Sequence, residues 1–163
     1  MLSPVAGPVR GTGTLEAMLV TNHVLSGALI GGAVRRPVPA FVLGVASHFA
    51  LDAVPHWGKF GGGRGLLRVA VPDGLVGLAA IGAFAAVAPP DRRLAVLAGM
   101  AGAALPDIDK PSQLWFGWSP FPRPVDEFHK AIQREAPGRA HYELAAAAVF
   151  GALALTLIRR RRR

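Results

Sequence analysis

Three side chains of the kind that bind metal ions recur every four residues within the apolar stretch from Ser47 to His56. They are His48, Asp52 and His56. On an α-helix, positions i, i+4 and i+8 drift around the axis by only about 80°, so the three side chains can share one face. Ionisable groups in an apolar segment of membrane length are costly and are usually kept for a function. The spacing therefore predicts a metal site.

Further histidines and acids elsewhere in the chain could complete such a site. With no cysteine in the sequence, any metal must be held by nitrogen and oxygen ligands, which suit Zn best, with Mn or Fe as alternatives. We expect the first ligands to be His48, Asp52, His56, Asp107 and Asp109, followed by Asp73, His23 and His141. His129 is also available, but it lies in polar surroundings, where a solvated surface histidine is more common.

Each of these elements also has a structural interpretation. The trio in the second apolar stretch could be a hydrogen-bonded cluster that orders helix packing in lipid. Asp73, which follows Pro72, fits an N-cap or a first-turn acid of a helix. The two acids after Pro106 could mark a helix stop and a turn, and His23 could simply begin a helix.

Composition and charge indicate a membrane protein. Hydrophobic residues make up 52% of the 163 residues and charged residues 17%. The net charge is +8, but five of the eighteen basic residues form the terminal run 159–163. Four more are the pairs Arg35-Arg36 and Arg92-Arg93, each between apolar stretches. This distribution is typical of charges that set membrane topology, so no nucleic acid partner is expected.

Five apolar stretches predict the fold class: an all-α, polytopic transmembrane bundle of about five spans, with four as the alternative. The stretches cover residues 18–34, 38–55, 69–88, 94–105 and 144–158. We expect a disordered lead at 1–17, a single membrane-embedded helical domain at 18–158 with an aromatic-rich loop at 106–142, and a basic cytoplasmic tail at 159–163. In the first stretch, Gly27 and Gly31 match a small-residue helix-packing motif.

The positive-inside rule orients the predicted bundle. With five spans and a cytoplasmic C-terminus, the three arginine clusters fall on the cytoplasmic side. Every candidate ligand then falls toward the opposite, non-cytoplasmic face. The aromatic side chains of the 106–142 loop would form an interfacial belt beside membrane lipid, or a lid over the site that contacts an amphipathic substrate.

The elements Ser47-His48-Phe49-Ala50-Leu51-Asp52 and Leu105-Pro106-Asp107-Ile108-Asp109 resemble those of a family of inner-membrane proteins described as metal-dependent hydrolases. That resemblance implies a bacterial inner-membrane location and metal ligands at His23, Asp107, Asp109, His48 and Asp52. In the family the Pro-Asp element precedes the His-x-x-x-Asp element, whereas here it follows. The full Ser-His-x-x-Leu-Asp-x-x-Pro-His pattern also resembles a related group of small membrane proteins.

These observations predict a membrane-bound metal-dependent hydrolase that acts on a phosphoester or a lipid-like substrate. One alternative is a metal ion or proton transporter that uses the same residues, spread through the depth of the membrane. Another is a structural membrane protein in which the polar trio only orders helices. The sequence assigns no general base, no particular substrate and no oligomeric state.

Overall fold

The computed structural model describes residues 19–58 and 63–160, and the chain is all-helical apart from one pair of two-residue strands. The strands are β1 (His56–Trp57) and β2 (Glu135–Ala136), which pair in parallel. The helices are α1 (Val20–Val34), α2 (Pro37–Asp52), α3 (Gly63–Val87), α4 (Pro90–Ala104), a 3₁₀ helix (Leu105–Ile108), α5 (Asp109–Phe116), α6 (Arg123–Ile132) and α7 (Ala140–Arg159). The predicted all-α class is confirmed.

Helix α1 is the central helix of the bundle, and glycines let α4 pack closely against it. A Cβ atom placed on Gly27 would lie 2.6 Å from the carbonyl carbon of Gly99. One turn further along, a Cβ on Gly31 would lie 2.5 Å from the Cα of Val96. Since residue numbers rise along α1 as they fall along α4, the two helices are antiparallel. The Gly27–Gly31 motif therefore forms a close backbone contact between α1 and α4.

Two polar contacts fix the neighbours of α1 at the same end of the bundle. The Asp73 carboxylate of α3 accepts hydrogen bonds from the backbone N–H groups of Val20 (2.6 Å) and Thr21 (3.3 Å) at the start of α1. Asn22 donates to the carboxylate and carbonyl of Glu143 near the start of α7. Helices α1, α3 and α7 thus run in the same direction, opposite to α4.

The arginine pairs lie at the other end of the bundle. Buried Arg92, at the start of α4, donates from Nη1 to the carbonyls of Leu157 (2.9 Å) and Ile158 (3.2 Å) at the end of α7. These carbonyls belong to the last turn of a helix, where they lack intrahelical partners. Arg35 follows the last residue of α1. Among the described residues, Arg35 and Arg92 therefore lie at the end of the bundle away from His23 and Asp73.

Only two of the described helices are long and apolar enough to cross a membrane, where about five spans were predicted. They are the 21-residue segment Leu67–Val87 of α3 and the 20 residues of α7. Helices α1, α2 and α4 have 15, 16 and 15 residues, and at 1.5 Å per residue they reach about 22–24 Å, short of a hydrocarbon core of about 30 Å. Helices α1 and α2 are apolar and fall short of the expected span by length alone, whereas α4, which begins with Asp91, Arg92 and Arg93 after Pro90, is also less apolar.

The 106–142 segment, predicted as an aromatic-rich loop, contains most of the 3₁₀ helix together with α5, α6 and β2. Its aromatic side chains Trp115, Phe116, Trp118 and Phe128 are exposed. The predicted lead at 1–17 and the arginines at 161–163 lie outside the described residues.

Candidate metal centre

Helix α2 supplies the first two side chains of the site from one face near its C-terminal end. His48 and Asp52 are one turn apart and both are fully buried. The Nε2 atom of His48 lies 3.2 Å from Oδ2 of Asp52. The predicted i, i+4 pairing of these two residues is therefore what the structure shows.

Helix α1 adds His23 from the opposite side of Asp52. The Nε2 atom of His23 lies 3.2 Å from Oδ1 of Asp52, so the two carboxylate oxygens face different histidines. The rings of His23 and His48 stack, with centroids 4.0 Å apart. Close packing between α1 and α2 is also seen one turn away, where the hydroxyls of Ser26 and Ser47 are 3.4 Å apart.

The Pro-Asp-x-Asp element reaches the same place from the end of α4. After α4 the chain continues as the 3₁₀ helix Leu105–Ile108, which directs Asp107 toward the histidines. The Asp107 carboxylate lies 4.0 Å from Nε2 of His23 and 3.8 Å from Nε2 of His48. Asp109 begins α5 and is also buried. Both acids therefore belong to the site and do more than end a helix.

His129 on α6 completes the cluster, although sequence reasoning ranked it below the other ligands. Its Nε2 atom lies 2.9 Å from Oδ2 of Asp52 and 3.0 Å from Nε2 of His48, and its Nδ1 atom lies 3.7 Å from Oδ2 of Asp109. Phe128 packs on Phe49 of α2, with ring centroids 5.2 Å apart, and this contact holds α6 over the site. One signal was present: the spacing of Val125, Phe128, His129 and Ile132 puts His129 on the apolar face of an amphipathic helix.

These six side chains form the metal-competent cluster: His23, His48, Asp52, Asp107, Asp109 and His129. Three overlapping triplets within it place one ligand atom per residue within 4.8 Å of one another. Two ligands on one tetrahedral ion, each 2.0–2.1 Å from it, would be about 3.3 Å apart, so the observed separations of 2.9–4.0 Å suit coordination. Buried His/Asp groups in this arrangement could hold a divalent metal ion.

The hydrogen bonds around the cluster leave ligand atoms available. Nδ1 of His48 lies 2.8 Å from the carbonyl oxygen of Ala103, which can only accept, so Nδ1 carries a proton and Nε2, which faces Asp52 and His129, is the ligand atom of the neutral ring. Among the described residues, Nδ1 of His23 is buried without a hydrogen-bond partner, and Nε2 of His23 and Oδ1 of Asp52 face each other at 3.2 Å without hydrogen-bond geometry. Unsatisfied buried polar atoms are costly, and a bound cation would satisfy Nε2 and Oδ1.

The surroundings of the two acids in the 105–109 segment shift their carboxyl pKa values in opposite directions. Burial alone would raise the pKa of the Asp107 carboxyl, but the Lys110 ammonium paired with it holds that pKa below its usual value. Burial dominates at Asp109 and raises the pKa of its carboxyl. Of these two acids, Asp107 therefore stays ionised more readily than Asp109.

Three predicted ligands lie outside the metal-competent cluster. His56 is buried, but α2 ends at Asp52 and the chain turns into β1 after Pro55, so the i+8 position does not exist on this helix. Nδ1 of His56 instead lies 2.9 Å from the Val54 carbonyl. Asp73 sits inside α3 and caps α1, and His141 is exposed. The expectation that His56 shares one helix face with His48 and Asp52 is therefore wrong.

No family model, curated protein or solved structure matches this chain. The function must therefore be inferred from the geometry of the metal-competent cluster.

Proposed function

We propose that this chain is a membrane-bound metal-dependent hydrolase that cleaves a phosphoester, with Zn as the first choice of metal and Mn or Fe as alternatives. The observation that carries the proposal is the convergence of three histidine Nε2 atoms on the buried carboxylate of Asp52, with Asp107 on the facing side. When bound, a metal ion at such a site polarises the ester and lowers the pKa of a water molecule.

The chain's own residues would perform four tasks. His23, His48 and His129 would offer nitrogen ligands, and the Asp52 carboxylate beside them would offer oxygen ligands. The Ala103 carbonyl holds the His48 ring in its ligand tautomer. Gln133 donates to Oδ2 of Asp52 over 3.4 Å and so orients that carboxylate. The Lys110 ammonium would attract the anionic phosphoryl group of a substrate.

We propose that the protein lies in the bacterial inner membrane, with α3 and α7 among its spans and lipid around them; because these two helices run in the same direction, α4 carries the chain back between them. Large apolar side chains such as Leu75 (63% exposed) and Leu144 (68% exposed) face outward on these helices, which fits contact with lipid. Because the arginine clusters lie at the opposite end of the bundle, the positive-inside rule puts the C-terminus in the cytoplasm and the cluster at the non-cytoplasmic face.

The compactness of the cluster favours hydrolysis over the alternatives. A transporter needs ligands distributed through the membrane, whereas here His129 is within 3.9 Å of both Asp52 and Asp107. A purely structural cluster would be expected to satisfy its own hydrogen bonds, yet Oδ1 of Asp52 and Nε2 of His23, 3.2 Å apart, do not have hydrogen-bond geometry.

Metal analysis of purified protein tests the proposal. The double variant His48→Ala plus Asp52→Ala should lose at least nine-tenths of the bound metal, together with phosphoesterase activity. The matched control is His141→Ala plus Asp91→Ala, which changes the same residue types at exposed positions and should leave both unchanged. Equal metal content in the two double variants, with both folded by circular dichroism, would refute the metal site. Metal binding without hydrolysis of any phosphoester would refute the proposed hydrolase activity.

A further inference from the structure

A cleft of about 520 Å³ opens between α3 on one side and α1 and α5 on the other, directly beside the metal-competent cluster. Its wall is overwhelmingly apolar, with Val24 from α1, Leu75 and Leu78 from α3, and Leu114 and Trp115 from α5. Small-molecule sites typically have volumes of about 300–1,000 Å³ and apolar walls with a few placed polar groups. The cleft has the size and lining of a ligand site.

Polar side chains reach the cleft at only a few places among the described residues. Asp73 is engaged in capping α1. Asp107 lines the cleft and also lies 3.8 Å from His48, so it belongs to both the cleft and the metal-competent cluster. Lys110 lines the cleft beside it and pairs with Asp107. The charged end of the cleft, at Asp107 and Lys110, therefore adjoins the metal-competent cluster, and apart from Asp73 the rest of the lining favours apolar atoms.

We propose that this cleft binds an alkyl chain of the substrate, and that the substrate is therefore a lipid phosphoester whose phosphate lies between Lys110 and the metal-competent cluster. This inference rests on the proposed hydrolase function and names its substrate class. Along α3 the lining runs from Leu67 to Ile81, which corresponds to about 21 Å of helix and is long enough for an extended lipid chain. Leu78 of the cleft is 66% exposed on a candidate membrane span, so an alkyl chain could enter the cleft sideways from the bilayer.

Two glycines of α3 provide matched variants. Gly74 lines the cleft, and a Cβ placed there meets no described atom within 4 Å, so a larger side chain can occupy the cleft without forcing helices apart. Gly82 has the same freedom on the same helix, but it does not line the cleft. Gly74→Leu should therefore block the cleft, whereas Gly82→Leu adds the same side chain elsewhere on α3.

Photolabelling tests the cleft independently of catalysis. The protein in lipid nanodiscs is irradiated with a dodecylphosphonate that carries a diazirine at its chain end, and labelled peptides are mapped by mass spectrometry. We expect labels on the α3 and α5 residues that line the cleft, competed by unlabelled dodecylphosphonate. Gly74→Leu should reduce this labelling at least tenfold, and Gly82→Leu should not change it. Equal labelling in the two variants, or labels that fall on α7 as heavily as on the cleft, would overturn the inference.

Kinetics then separates this inference from the proposed function. For dodecyl and methyl esters of the same phosphate, Gly74→Leu should lower kcat/KM at least tenfold for the long ester alone. An equal effect on both esters would overturn the chain-binding role. Hydrolysis of neither ester, with labelling that Gly74→Leu abolishes, would refute the hydrolase and support the cleft as a lipid site.

Discussion

The contact between Gly27 and Gly99 makes the sharpest prediction, because it links helix packing to the geometry of the metal-competent cluster. In Gly27→Ala the new Cβ would lie 2.6 Å from the Gly99 carbonyl carbon and 2.7 Å from the Cα of Met100. Ordinary contacts begin near 3.4 Å, and both obstacles are backbone atoms that cannot rotate away. Helices α1 and α4 must therefore separate by roughly 1 Å.

That separation has two measurable consequences. Overpacking of a close contact costs about 1–3 kcal/mol of unfolding free energy, against a gain of about 0.5–1 kcal/mol from replacing glycine by alanine in a helix. The larger effect concerns the ligands, since α1 carries His23 and α4 leads into Asp107. Ligand side chains must be held to within about 0.5 Å, so a shift of roughly 1 Å should weaken metal binding at least tenfold.

The assay combines thermal unfolding with metal titration of the apo protein in detergent. Gly82→Ala is the matched control, because a Cβ at Gly82 meets no described atom within 4 Å. We expect Gly82→Ala to match or slightly exceed the wild-type Tm and to bind metal normally. If Gly27→Ala behaves like Gly82→Ala in both measurements, Gly27 does not pack directly against the backbone of Gly99 and Met100.

Three further outcomes follow from single contacts. His129→Ala should reduce metal affinity at least tenfold in a calorimetric titration, because it removes a buried ligand, whereas the exposed His141→Ala should leave affinity unchanged; equal affinities would remove His129 from the site. Asp73→Ala should lower the unfolding free energy by about 1 kcal/mol through loss of the α1 cap, seen as a lower Tm with metal content retained; loss of metal would instead make Asp73 a ligand. Metal affinity should fall as the pH is lowered from about 8 to about 5.5, because histidine ligands must be neutral to bind; an affinity independent of pH over this range would exclude histidine coordination.

Local patterns in the sequence were enough to place most helices. Each of the five apolar stretches corresponds to a helix of the structure, and the i, i+4 pair His48 and Asp52 lies on one face as expected. Pattern alone could not decide how many of these helices are spans, because the 15-residue α1 is as apolar as a span but is mostly buried by its neighbours. Burial within the protein and burial in lipid favour the same residue types.

The errors at the site have physical causes in the three-dimensional arrangement. His56 was expected on the α2 face, yet the helix ends four residues earlier and Pro55 follows that end. Asp73 fits a cap, but it caps α1 from the interior of α3, a contact between residues 53 apart in sequence. His129 reaches Asp52 across 77 residues, and no local pattern encodes that distance. Ligands contributed by separate helices become visible only when packing brings them together.

The charge balance of the metal-competent cluster is the strongest physical argument for a bound cation. Asp52, Asp107 and Asp109 are all buried, and Lys110 is the one cationic side chain paired with them among the described residues. Removing unpaired carboxylates from water costs several kcal/mol per ion even after relaxation. The three histidines could supply positive charge only by taking up protons, which would put protonated rings 3.0 Å apart at His48 and His129. A divalent cation would balance the remaining carboxylates while leaving every histidine neutral, and it would therefore explain why these six side chains are buried together.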